Sequence, residues 1–250
     1  MAGEQCVKKS IHDMHRVMSS LTDLVYPRLC AVCHDWVGAG GYALCWDCRS
    51  RLSWITPPFC RLCGDPAEGV ATHAYECGFC KRSPPAFTSA RSLLRYAGVC
   101  GALIQRFKYG NACWLSGEMT QWLETGARLH FPVDRIDCVM AVPLSPRKQR
   151  ERTYNQACLL ARGLARRLHL PYRTGLVRCR YTISQTHLNM ASRRRNVRGA
   201  FAARIPEWVR GRRILVVDDV MTTGATLNEC ARILCRAGAV AVYALTVARG

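Results

Sequence analysis

No uninterrupted apolar stretch in these 250 residues approaches the roughly 20 needed to cross a bilayer; the run 240–248 is far too short. The first 29 residues also lack an apolar core ahead of a small-residue cleavage site, because Glu4, Lys8, Lys9, Asp13, Arg16, Asp23 and Arg28 interrupt them. A soluble, cytoplasmic protein without membrane insertion is therefore expected. Negative charge is scarce as well, with 17 Asp and Glu against 36 Lys and Arg and a net charge of +19. The deficit is concentrated: residues 145–213 carry 18 Lys or Arg and only Glu151 and Glu207, which places +16 in that stretch. A polyanion, either nucleic acid or a small polyphosphate, is the natural partner of such a field. For any single arginine outside a motif, a solvated basic face is the plainer reading.

What the chain has in excess is cysteine, 16 in all. Without an export signal, thiols are expected to stay reduced, so cysteine reads as metal ligand or packing residue, not as disulfide. Eight of them form four close pairs. Cys30, Cys33, Cys45 and Cys48 give C-x2-C-x11-C-x2-C, and Cys60, Cys63, Cys77 and Cys80 give C-x2-C-x13-C-x2-C. A two-residue gap lets both sulfurs of a pair face one tetrahedral Zn2+ at about 2.3 Å, with Gly64 easing the turn after the second Cys. Two structural zinc ions are expected, in closed sites that leave no position for water. Spacing alone leaves open whether the pairs ligate in sequence or interleave. Trp36, Trp46 and Trp54 are suited to stacking on nucleobases, but the favoured reading is that they cover a module too small to have another core.

After Pro84-Pro85 the texture changes to alternating strand-like and helix-like segments, the pattern of a parallel α/β sheet. The expected organisation is a small zinc-ribbon module over 1–85, ordered from about 21, followed by an α/β domain over 86–250. Strands are expected at 89–96, at 136–142, at 213–217 and at 240–247. Helices are expected at 154–168 and at 225–237, the latter stopped by Gly238.

Residues 214–226 read Ile-Leu-Val-Val-Asp-Asp-Val-Met-Thr-Thr-Gly-Ala-Thr. A buried strand delivers Asp218 and Asp219 to the C-terminal edge of the sheet, where open α/β sheets bind ligands. Their carboxylates suit a vicinal diol. The turn Thr222, Thr223, Gly224, Ala225 and Thr226 supplies backbone N–H groups, hydroxyls and a helix N-terminus suited to a phosphate monoester. An ordinary helix cap after a strand explains the threonines but leaves the two acids unexplained.

Adjacent acids followed by Thr-Thr-Gly-x-Thr resemble the 5-phosphoribosyl 1-diphosphate (PRPP) motif of the type I phosphoribosyltransferases. The whole succession resembles the ComF/GntX family: the cysteine pairs, Lys108-Tyr109, Arg152-x-x-Asn155-Gln156, Gln185-x-x-Leu188 through Asn196-Val197, and the Asp-Asp motif stand in the family order from about residue 21 onward. This resemblance implies a type I phosphoribosyltransferase-like parallel sheet flanked by helices behind a double zinc ribbon. It implies PRPP binding with Mg2+, diphosphate held by Arg147, Lys148 and Arg152, and a hood over residues 182–201 that brings in Gln185 and Arg193 on closure. Where purine-using relatives carry an acid able to act as general base, this chain has Thr222, so the acceptor is left open. The family's association with natural competence implies single-stranded DNA or competence proteins as partners. On that reading the protein is a transferase. The alternative is a non-catalytic PRPP sensor or single-stranded-DNA-binding competence factor that keeps the same pocket.

Overall fold

A computed structural model of the chain describes residues 28–37, 42–67, 75–180 and 195–250. Its contacts fall into two compact units, Met1–Arg51 and Leu52–Gly250. The first cysteine set belongs to the smaller unit, and the second is housed in the same unit as the sheet.

Both cysteine sets are built on the same turn, thirty residues apart. The N–H of Cys30 donates to the Asp35 carbonyl at 2.7 Å, as that of Cys60 does to Asp65 at 2.7 Å. The N–H of residue 34 returns to Cys30 at 3.1 Å, and that of Gly64 to Cys60 at 2.8 Å. Antiparallel bridges close each turn, Leu29 with Trp36 and Phe59 with Pro66. The geometry needs a left-handed residue after the second cysteine, and His34 at φ 65° and Gly64 at φ 69° fill that position. Short helices, Trp46–Ser50 and Gly78–Arg82, carry the last cysteine of each set. Trp36 and Trp46 do not cover the module as expected; they are 67% and 83% exposed. Trp54 instead meets Trp122 edge-on, ring centroids 5.8 Å apart.

The larger unit centres on a four-stranded parallel sheet of β1 (Ser89–Arg95), β2 (Cys138–Ala141), β5 (Arg213–Met221) and β6 (Ala241–Arg249), in the spatial order β1-β6-β5-β2. A short antiparallel pair, β3 (Leu176–Arg178) and β4 (Phe201–Ala203), stands apart from it. Helices α1 (Gly98–Tyr109), α2 (Ser116–His130), α3 (Pro146–Arg152), α4 (Gln156–Arg167) and α5 (Ala225–Arg236) connect the strands. α2 and α4 pack side by side, α2 also on β1 and β6, and α4 on β2 and β5. The reason is visible in α4, where Ala157, Leu160, Ala161, Leu164 and Ala165 are buried at helical spacing and the Asn155 side chain caps the first turn by accepting from Cys158 N–H. α5 ends at Gly238 in the left-handed region, φ 92°, as its sequence suggests. Ile214, Leu215, Val216 and Val217 are buried to within 1% of their surface, since a parallel strand is covered on both faces. Among the described residues no helix is long and apolar enough to cross a membrane.

The second cysteine turn lies directly on β1. The Ala90 N–H donates to the Leu62 carbonyl at 2.7 Å, and a Cβ on Gly64 would sit 2.7 Å from the Ala90 carbonyl oxygen. Gly64→Ala therefore combines left-handed strain with a backbone clash and is expected to lower stability by about 1–3 kcal/mol, read from the thermal or urea unfolding of the zinc-loaded protein. An unchanged midpoint would mean that this contact is not made.

Candidate functional site

The cysteine pairs sort in sequence and do not interleave. Cys30, Cys33, Cys45 and Cys48 bring their sulfurs within 4.8 Å of one another, and Cys60, Cys63, Cys77 and Cys80 do the same. The Cys33–Cys45 and Cys63–Cys77 sulfur separations are 3.5 and 3.7 Å. Bonds of about 2.3 Å to a tetrahedral ion place sulfurs about 3.8 Å apart, so both sets fit Zn2+. Backbone N–H groups favour the thiolate at one cysteine of each set, Cys30 and Cys60, whereas burial pushes Cys48, Cys63 and Cys80 up. Burial pushes the Cys30 thiol up, but backbone N–H groups of Cys45, Cys33 and Val32 outweigh it and bring it down to about 6. Cys60 comes down to about 7 against the same opposing burial, through N–H groups of Cys63, Cys77 and Leu62. Eight thiolates in two closed sites suit a structural role.

The diacid strand runs further than its apolar residues suggest. β5 continues to Met221, pairing Asp218 with Thr246 and Met221 with Arg249 of β6, so Asp218 and Asp219 sit inside the last turnings of the strand and not just beyond it. At its end Gly224 takes φ 71°, N-caps α5 without a side-chain bond and lets Thr223 Oγ1 accept from Ala225 N–H at 3.4 Å. Asp218, Thr222, Gly224, Ala225 and Thr226 line one shallow cleft of about 40 Å3. A Cβ on Gly224 would meet the Met221 methyl at 2.7 Å, so the turn is closed from behind as well as conformationally demanding.

Cations converge on this edge. Lys108, from the last turn of α1, places Nζ 2.9 Å from Asp219 Oδ1, with both side chains mostly buried. Burial works against the Lys108 ammonium, yet the Asp219 carboxylate outweighs it and raises its pKa. The Arg-x-x-Asn-Gln run turns out to be the bracket that holds the Lys-Tyr dipeptide. Tyr154 Oη donates to the Phe107 carbonyl at 2.6 Å, Gln156 Nε2 donates to the Phe107 and Lys108 carbonyls, and Arg152 donates to Tyr109 Oη at 3.0 Å. Asn155 ties the same run to β2 by donating to the Val142 carbonyl at 3.1 Å. Thr153, left-handed at φ 60°, makes the sharp turn between α3 and α4 that allows this. Arg147 and Lys148 lie in the first turn of α3, which Ser145 caps by accepting from Lys148 N–H. Lys148 is pulled down first by burial and then by the charges of Arg152, Arg178 and Lys108, a crowding that a bound polyanion would relieve. Gln185 and Arg193 lie outside the described residues.

Among the described residues, Asp218 is the carboxyl most displaced from its ordinary range. Burial, then the charge of Asp219, raises it to about 7, with Lys108 and Arg178 pulling the other way. The folded form thus holds this proton more tightly than the unfolded chain. Its contribution to stability is greatest below about pH 4 and is lost as pH rises through about 7. Asp218→Asn should accordingly gain in unfolding midpoint relative to the wild type between pH 5 and 8. A constant difference across that range would show that Asp218 stays ionised throughout.

Sequence reasoning did not count Lys108 and Arg178 among the site residues. For Lys108 a signal existed, since the Lys108-Tyr109 dipeptide stands in the family succession. Arg178 gave none.

Parallel strands that end in a diacid, a left-handed phosphate-type turn and a converging set of cations define a type I phosphoribosyltransferase-like domain, here preceded by two four-cysteine zinc-ribbon sites. The double zinc ribbon domain family matches residues 21–82, and the phosphoribosyl transferase domain family matches residues 155–250. The chain is 33% identical over 231 residues to the DNA utilization protein YhgH of Escherichia coli K12, covering 90% of this chain and 99% of that one. It is 31% identical over 225 residues to competence protein F of Haemophilus influenzae, covering 88% and 96%, and 29% identical over 211 residues to competence protein ComFC of Bacillus subtilis, covering 82% and 84%. The chain belongs to the ComF/GntX family.

Proposed function

We propose that this protein binds PRPP with Mg2+ at the end of β5 and transfers its phosphoribosyl group to an acceptor. The observation that carries this reading is the pairing of Asp219 with Lys108 at 2.9 Å beside Asp218, immediately ahead of the Gly224 turn. Asp218 and Asp219 would accept from the ribose hydroxyls. Thr222, Thr223, Gly224, Ala225 and Thr226 would take the 5-phosphate through hydroxyls and the N-terminal amides of α5. Arg147, Lys148 and Arg152, with Lys108, would hold the diphosphate, and Gln185 and Arg193 would close over it from the hood. The donors that remain, carboxylate and phosphate oxygens, suit a hard cation such as Mg2+, which when bound shares the charge of the leaving diphosphate. The double ribbon of residues 1–85 would serve as the structural module.

A second reading, binding without turnover, is favoured by one feature: the cleft at Thr222 is lined by no carboxylate other than Asp218 among the described residues, so no general base faces an acceptor there. The names of the relatives, DNA utilization and competence proteins, support a setting in DNA uptake, for which the cytoplasm is the proposed location. The +16 stretch would suit single-stranded DNA or an acidic competence partner.

Calorimetric titration of PRPP with Mg2+ into the zinc-loaded protein at pH 8 and fixed salt tests the shared pocket. Saturable binding is expected, and its absence rejects both readings. Release of pyrophosphate in the presence of candidate acceptors then selects the transferase, whereas binding with no release across the panel selects the sensor.

A further inference from the structure

The four parallel strands end along one edge in the order β1, β6, β5, β2. β5 carries the diacid, and the basic helix α3 follows β2 on one side of it. On the other side, at the ends of β1 and β6, a cavity of about 570 Å3 opens. Its walls include Arg95 and Tyr96 after β1, Arg249 and Gly250 at the end of β6, and Asp65 and Tyr75 from the second cysteine module. That volume falls within the range of small-molecule sites, roughly 300–1,000 Å3.

The cavity adjoins the phosphate turn. The Gly250 N–H donates to the Met221 carbonyl at 3.1 Å, the Tyr96 N–H donates to the Arg249 carbonyl at 2.5 Å, and a Cβ on Gly250 would come within 3.7 Å of the Thr222 methyl. Among the side chains that line it, two arginines, Arg95 and Arg249, stand with one carboxylate, Asp65. Arg249 is neutralised by Asp65, with Nη2 2.8 Å and Nε 2.9 Å from Oδ1. Arg95 is exposed and has no carboxylate partner among the described residues. Tyr75 Oη donates to the Asp65 carbonyl at 2.9 Å, while Tyr96 Oη accepts from Gln105 at 2.8 Å and keeps its own proton to donate.

We propose that this cavity binds the acceptor of the transfer, a planar ring compound bearing one anionic group, and that the second zinc module forms one of its walls. This rests on the PRPP reading above. With diphosphate held on the β2 side, an acceptor on the β6 side approaches the ribose from the opposite direction. The bond from the acceptor nitrogen to C1 forms as the bond from C1 to the diphosphate oxygen breaks. The electron pair departs on pyrophosphate; a ring N–H acceptor gives its proton to water, whereas a pyridine nitrogen has none to lose. Arg95 pairs with the anionic group, and Tyr96 donates to the ring's edge.

The test uses full-length zinc-loaded protein and named probes: orotate, nicotinate and quinolinate as anionic rings, uracil and nicotinamide as neutral ones. Each is titrated by ligand-observed NMR with and without PRPP and Mg2+, alongside PRPP binding itself. At least one anionic ring is expected to bind saturably and at least tenfold more tightly than the neutral rings. Arg95→Ala should weaken it at least tenfold without lowering the unfolding midpoint, and Arg95→Lys should restore most of the loss. If PRPP binds but no anionic ring does, or if Arg95→Ala leaves ring binding unchanged, the cavity is not the acceptor site. If a ring binds through Arg95 but PRPP does not bind, the cavity stands and the phosphoribosyl reading falls. Binding of oligothymidylate, lost in Arg95→Ala, with no ring bound would make the cavity a nucleic-acid contact and overturn the proposal.

Discussion

Asp218→Asn/Asp219→Asn will weaken PRPP binding at pH 8 by at least a hundredfold. Each carboxylate that accepts from a ribose hydroxyl contributes a charge-assisted hydrogen bond of about 1.5–3 kcal/mol, and two such losses together span roughly 10²- to 10⁴-fold. The single variants separate binding from folding. Asp218→Asn leaves the Lys108–Asp219 pair intact, so its loss of affinity comes with a retained fold. Asp219→Asn removes the partner of an ammonium whose side chain is only 17% exposed, and breaking a largely buried pair is strongly destabilising. Replacing both partners, in Lys108→Met/Asp219→Asn, should recover much of the stability but none of the affinity. Calorimetry for binding and chemical unfolding for stability read the two effects independently. An affinity for PRPP within threefold of wild type in the Asp218/Asp219 double variant would remove these carboxylates from the site.

The features legible in the sequence were those carried by contiguous residues. Four C-x2-C pairs, the Asp-Asp-to-Thr226 stretch, and the apolar spacing of α4 and α5 each declare themselves within a dozen or so positions. Helices α1 and α2 did not, because Gly98, Gly101, Gly117 and Gly126 dilute their propensity. Gly126 is explained only by tertiary packing: a Cβ there would sit 2.3 Å from a Leu93 methyl, so the helix needs a gap where β1 passes. The end of β5 was read four residues short because the apolar run stops at Val217, whereas the strand continues as far as its partner β6 does. The site itself was half legible. Its acids stand in one motif, but the cations that complete it arrive from α1 and from β3, separated from the acids by long stretches of sequence. The bracket joining Arg152, Tyr154 and Gln156 to Lys108-Tyr109 spans more than forty residues and leaves no local trace.

Loss of the second zinc ion should disable the proposed phosphoribosyl site, whereas loss of the first should not. Structural zinc contributes about 10–16 kcal/mol in small ribbons, so removing two ligands of a set unfolds the turn they hold. For the second set that turn is joined to the sheet. Arg249, the residue opposite Met221 in the β5–β6 ladder, donates to the Cys63 carbonyl at 2.8 Å and to Asp65 at 2.9 Å. The Ala86 N–H donates to Asn228 Oδ1 of α5 at 2.6 Å, and Cys63, Phe79 and Cys80 line a crevice together with Met221, Thr223 and Gly224. The turn at Thr222 to Thr226 thus rests on the second cysteine module, and melting that module frees Met221 and Gly224 to move. Cys60→Ser/Cys63→Ser is expected to retain one zinc per chain by elemental analysis and to bind PRPP at least tenfold more weakly. Cys30→Ser/Cys33→Ser, in the separate compact unit, should also retain one zinc but bind PRPP within about twofold of wild type. Equal affinities in the two variants would show that the second module holds the fold without supporting the site, and Arg249 would then be a clasp between module and sheet with no bearing on the turn it adjoins.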